Sequence, residues 1–167
     1  MLSIYDATIP ALKRTLSNLS AILKIGEEYA VAKKIDHSVL LNARLFPNMY
    51  PLTRQVQIAT DMSKGAAARL AEIEIPKYED NESSFAELQA RIAKTIAFID
   101  TVKPEQMKGS ETREVTITIR KEDLKFTGQD YLLQWVNPNV YFHVTTAYNI
   151  LRHNGVELGK SDFLGPR

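Results

Sequence analysis

Asn139–Val156, NVYFHVTTAYNILRHNGV, is the stretch on which the reading of the fold turns. It follows Pro138 and closes on Asn154-Gly155, a helix-stop pair. At about 100° per residue, Val140, Val144, Ala147, Ile150 and Leu151 fall on one face. His143 and Tyr148 flank that face on opposite sides, while Phe142, Asn149 and His153 point away. The spacing predicts a core helix with an imidazole at the edge of its buried stripe. A binding site in a helical bundle can be built around such a residue.

Upstream of this helix the period changes. Val115, Ile117 and Ile119 alternate with Glu114, Thr116, Thr118 and Arg120, which predicts a half-buried strand. Lys125–Thr127 can pair with it through Lys121-Glu122-Asp123. A two-stranded ribbon is marginal alone and must pack on helices. Gly128 then leads into a short helix over Gln129–Val136, and Pro138 is expected to reset the chain.

Three further stretches carry helical stripes. Ser3 with Asp6 resembles a capping pair for a first helix reaching about Lys24. Pro10 either sits in the first turn of a helix starting near Thr8 or kinks a longer one, and the kinked helix is favoured. Gly26 is expected to interrupt the pattern, leaving Glu27–Ile35 as a separate short helix. Pro51 is placed to start a helix over Leu52–Ile73, rich in Ala, with Gln55 at its buried edge and Arg54, Gln57, Asp61 and Lys64 outside. Ser84 and Glu87 read as a capping box for a helix striped by Phe85, Leu88, Ile92, Ile96 and Ile99. The acidic stretch Glu79–Glu82 reads as a solvated loop. After Gly155, the tail's Gly159, Gly165 and Pro166 argue against regular structure, though Leu158, Phe163 and Leu164 suggest docking. The expected fold is mainly α, an antiparallel four-helix bundle with a small β-hairpin in the connection before the last helix.

The bulk numbers suit one domain over residues 1–167. Of these residues 44% are hydrophobic and 25% charged. A formal net charge of +1, from 21 basic and 20 acidic residues, argues against a nucleic-acid partner. No run approaches the ~20 apolar residues of a membrane span, and no basic leader precedes an apolar block. No membrane partner and a cytoplasmic location are therefore expected. With no cysteine, thiolate metal sites and thiol nucleophiles are excluded. The imidazoles are His37, His143 and His153.

The stretches LFPNMYPLTRQVQIATDMSKGAAARLA, FAELQARIAKTIAFID and YFHVTTAYNILRHNGVELGKSDFLG, with LSIYDATIPALKRTLSNLSAIL, cover most of the chain. Together they resemble the DinB/YfiT-like superfamily of four-helix bundles, and within it an uncharacterised bacterial family. The resemblance implies an open three-His site for a divalent metal, with one His on the second helix and two spaced i, i+4 on the fourth. Here His143 can stand for one fourth-helix ligand. Its i+4 neighbour is Ala147, its i−4 neighbour is Asn139, and the second helix offers Gln55. One imidazole and two amides, with no inward carboxylate, are a poor set for a dication, so no metal and no cofactor are expected.

Two functions remain open at this point. One is a small-molecule-binding or interaction protein that kept the bundle and lost the metal. The alternative is a metal-dependent or group-transfer enzyme of the superfamily using His143. The candidate ligand-binding residues are Tyr50, Gln55, Tyr141, His143 and Tyr148, with His143 also the best candidate for acid–base work. A tyrosine with an apolar body and a polar tip also suits the edge of a core without any ligand. Asp61 with Lys64, and Glu87 with Arg91, have the spacing of surface ion pairs. Apolar surface on the Ala-rich helix and at Phe142 raises the possibility of a homodimer.

Overall fold

Ser3 caps the first helix as its sequence suggests. Its hydroxyl accepts from the Asp6 N–H at 3.1 Å, while the Asp6 carboxylate reaches back to the Ser3 N–H. From that cap α1 runs over Ile4–Lys33 in the computed structural model, which describes residues 3–166. Pro10 is accommodated inside it. Gly26 does not interrupt it either. A Cβ on Gly26 would stand 2.9 Å from the Leu151 side chain, so this glycine serves a close helix–helix approach. The separate helix expected over Glu27–Ile35 is therefore the end of α1.

A short α2 covers His37–Leu41, capped by Asp36. Pro51 precedes α3, Leu52–Ala71, as expected. Ser84 caps α4, Phe85–Asp100, by accepting from the Glu87 N–H at 3.2 Å. A 3₁₀ turn follows at Pro104–Met107. The hairpin is β1, Glu114–Ile119, paired antiparallel with β2, Glu122–Thr127, with Glu114 opposite Thr127. Of the period-two stripe in the sequence, Val115 and Ile117 are buried, while Ile119, at the turn end of the hairpin, is exposed.

The chain is then helical without a break. It passes through α5, Gly128–Asp130, a π-helical turn at Tyr131–Val136, and α6, Asn137–His153. Pro138 does not reset the chain. An α-helical ladder would need its missing N–H to donate to Gln134. The wide turn ends just before that position, with the Asn137 N–H bonded to the Leu132 carbonyl five residues back. The tail also forms a helical turn, α7, Lys160–Leu164. It docks on α1, where Asn18 donates to the Phe163 carbonyl and Arg14 to the Leu164 carbonyl, both at 3.0 Å.

The four long helices α1, α3, α4 and α6 form a mainly α bundle with the hairpin set before the last of them. Side-chain contacts give their directions. Ser20 meets Gln89 and Lys13 meets Asp100, so α1 and α4 are antiparallel. Gln55 meets His143 and Arg69 meets Tyr131, so α3 and α6 are antiparallel. Arg91 lies against Thr60 and Asp61, while Glu82, just before α4, lies against Gln57. Hence α3 and α4 run in the same sense. Residues 72–84 form a strap that returns along α3 before α4 begins. The 20 residues of α3 span about 30 Å, a distance that an extended strap of this length can cover.

The core lies between the helices. Val140, Val144, Ala147, Ile150 and Leu151 of α6 are fully buried, as their spacing predicts. Ala59, Ala66, Ala67 and Ala68 of α3 are equally inaccessible, so this Ala-rich helix does not offer the apolar surface that its composition suggests. Phe142 does stay exposed. Among the described residues no helix is long and apolar enough to cross a membrane.

Candidate functional site

His143 sits in the second turn of α6, on the side facing α3, with 8% of its surface exposed. Its Nδ1 lies 2.7 Å from Oε1 of Gln55. The Gln55 Nε2 in turn donates to the Tyr50 backbone carbonyl at 2.9 Å. That second bond decides the protonation of the ring. An amide turned the other way would set its oxygen against the Tyr50 carbonyl oxygen, so Oε1 must face the imidazole. An oxygen can only accept there, so Nδ1 carries the proton. In the neutral ring Nε2 then holds the lone pair. It has no protein partner among the described residues and is not one of the fully buried unpaired atoms.

The neutral form is also the favoured one. Burial, and then the positive charge of Arg54, hold the His143 pKa below the ordinary value of 6.5. The Phe142 ring stands edge-on to the imidazole, with centroids 5.2 Å apart, and is 56% exposed. Tyr50 contributes its backbone carbonyl. Its ring is exposed, with the Arg54 guanidinium 6.0 Å from its centroid.

The other two candidate tyrosines are placed elsewhere. Tyr141 is exposed and, two residues from His143, lies about 200° around the helix axis. Tyr148 donates its hydroxyl to the Leu158 carbonyl at 3.2 Å, tying the tail to α6. Of the five sequence candidates, the structure thus brings together Tyr50, Gln55 and His143. His37 begins α2 and packs edge-on against Phe85. His153 is exposed in the last turn of α6.

A second polar cluster lies on the strap side of α3, and the sequence reading missed it. Arg91 is 1% exposed and does not form a surface pair with Glu87. Its guanidinium donates to Thr60 and Asp61 at 2.8 Å, to Glu82 at 2.9 Å and to the Glu79 carbonyl at 3.0 Å, with Asp80 also at 3.0 Å. Burial works against its charge, but the Glu82 bonds and the carboxylates of Asp61 and Asp80 outweigh burial and raise its pKa. Asp80 also pairs with Arg54, and despite burial these two arginines lower its pKa. Lys64 bonds Asp61 at 2.7 Å. The Lys64 and Lys94 ammonium groups each stand 3.8 Å from the Tyr78 ring centroid. Asp80 and Glu82, read as part of a solvated acidic loop, are therefore the strap's anionic clamp on Arg91, joined by the Glu79 backbone carbonyl. Gln57 and Lys64, placed outside the core by their helical phase, are buried because the strap covers that face of α3. Glu87 instead bonds the Ser83 N–H at 2.7 Å, which with the Ser83 and Ser84 hydroxyls lowers its pKa.

The three-His metal arrangement can be tested against these donors. Gln55 spends its oxygen on His143 and donates an amide hydrogen to the Tyr50 carbonyl. Asn139 donates to the Trp135 carbonyl at 2.7 Å, and Ala147 has no donor atom. The one carboxylate on α3, Asp61, is engaged with Arg91 and Lys64. Among the described residues, no group of three or more His, Asp or Glu side chains could hold an ion. The residues present do not fit a three-His centre.

Known proteins place the chain in the same setting. A family model described as "Domain of unknown function (DUF1993)" matches residues 4–164. No curated protein matches significantly. The chain is similar to a DinB family member from Shewanella denitrificans, known from its crystal structure. The two share 40% identity over 98% of this chain and 93% of the other, with a TM-score of 0.93. The match over nearly all of the helical frame, hairpin included, shows that this chain belongs to the DUF1993 family of DinB-like bundles.

Proposed function

We propose that this protein is a small-molecule-binding bundle in which His143 receives a ligand at Nε2 without metal chemistry. The observation that carries the reading is Gln55, held between the Tyr50 carbonyl and His143 Nδ1. It fixes one tautomer and turns the accessible nitrogen into a hydrogen-bond acceptor. The ligand is therefore an organic molecule with an N–H or O–H donor. The Phe142 ring provides aromatic surface beside the imidazole, and Arg54 adds positive charge. The reading favours recognition over catalysis, because Asp61, the one carboxylate on α3, is already engaged with Arg91 and Lys64.

Long-range ¹H–¹⁵N correlation of histidine-labelled protein tests this. The expected spectrum at neutral pH has a protonated Nδ1 and an unprotonated Nε2 for His143. Donor-bearing fragments should shift that Nε2 resonance, and Gln55→Leu should weaken their binding about fivefold, the worth of one hydrogen bond of about 1 kcal/mol. An Nε2-protonated ring, or a fragment library that leaves His143 unmoved, would sink the proposal.

A further inference from the structure

A cavity of about 810 Å³ shares no lining residue with the His143 site. It lies where the first turn of α1, the 3₁₀ turn after α4 and the π-helical turn before α6 converge. Its apolar wall includes Ile4, Tyr5, Ala7, Met107, Leu132 and Leu133. Its size and lining are those of a site that takes a small organic molecule. The π-helical turn shapes one side of it. Leu132 is buried, while the adjacent Leu133 is 53% exposed. Such wide turns recur at functional sites.

Among the described residues the charged groups of the rim are Glu105, Glu111 and Lys108, two carboxylates against one ammonium. None of the three forms an ion pair among the described residues. The start of α1 does not turn this balance toward anions. Its capping box already engages the Ser3 and Asp6 N–H groups, and the Asp6 carboxylate adds negative charge at the same helix end. We propose that this cavity binds an amphipathic organic cation, an amine whose apolar body lies along the leucine and methionine wall. Its ammonium group faces Glu105 and Glu111. This site is independent of the one at His143.

Three probes with one shared body separate charge from apolar fit: phenylbutylamine, phenylbutanol and phenylbutyrate. Each is titrated into the full-length protein and followed by backbone ¹H–¹⁵N shifts. The amine should perturb residues 104–111 and 129–133 and bind about tenfold tighter than the acid, the size of one favourable charge contact near a surface. Glu105→Gln with Glu111→Gln, two changes at exposed positions, should abolish that preference while leaving the spectrum folded. Ala7→Phe should fill the cavity and remove binding of all three. Equal affinities, a preference for the acid, shifts confined to His143, or no shift at millimolar probe would each overturn the proposal.

Discussion

His143 is an imidazole kept neutral by its surroundings, and that has a consequence for stability. Its folded pKa lies below the ordinary 6.5 that the unfolded chain keeps. Below about pH 6.5 the unfolded chain takes up the proton more readily than the native one. The stability contributed by the neutral ring is thus intact above that pH and is lost as pH falls through the folded value. Urea midpoints of wild type and His143→Gln, measured across a pH series, should differ by a constant amount above about pH 6.5. The wild-type advantage should shrink below it. Parallel profiles throughout would show that His143 is not depressed. Much of this residue was legible in the sequence, because helical phase alone puts His143 and Gln55 at the edges of their stripes. Phase also separated His143 from His153. It could not reveal Arg54 as a neighbour that shifts the ring's pKa, since that contact depends on how α3 and α6 pack.

At the scale of elements, the sequence signals were right about residue type and sometimes wrong about purpose. Gly26 looked like a helix stop and is a contact point with Leu151. Pro138 looked like a restart and sits instead in the first turn of α6, behind a π-helical turn. The ambiguity is physical: glycine permits both a break and a close approach, and only a partner helix decides which one is used. Gly128 is the sharpest case. A Cβ there would overlap the Ser110 backbone carbonyl, and Gly128 is buried as the first residue of α5, directly after the hairpin. Backbone cannot swing aside as a side-chain end can. Gly128→Ala should therefore lower stability by about 1–3 kcal/mol, read as a fall in the thermal midpoint. An unchanged midpoint would mean that the α5 junction shifts freely.

For the whole molecule, the feature hardest to foresee was the direction of α4. Hydrophobic stripes identify helices but are silent on whether two neighbours run the same way. The strap is held by residues that read as ordinary surface charge, namely Asp61, Asp80, Glu82 and Arg91. Arg91→Leu tests how much this clamp contributes. It would leave Glu82, whose side chain is 8% exposed, without its main cationic partner, while Asp61 and Asp80 keep about a third of their exposure. Removing one member of a buried pair costs about 3–5 kcal/mol. The urea midpoint should fall accordingly with an unchanged slope. A shift below about 1 kcal/mol, typical of exposed pairs, would show that the clamp is solvated in practice.

The strap also divides the chain into two halves that are interleaved in space. The first half holds α1 and α3, and the second holds α4 and α6. The antiparallel contacts between α1 and α4, and between α3 and α6, all cross from one half to the other. Lys77, in mid-strap, is exposed. A single tryptic cut there should yield two peptides on a denaturing gel that still elute as one particle. The two halves, produced as separate polypeptides, should likewise be unable to bury their stripes alone and should assemble on mixing. Halves that fold and stay apart would show that each helical pair is self-sufficient.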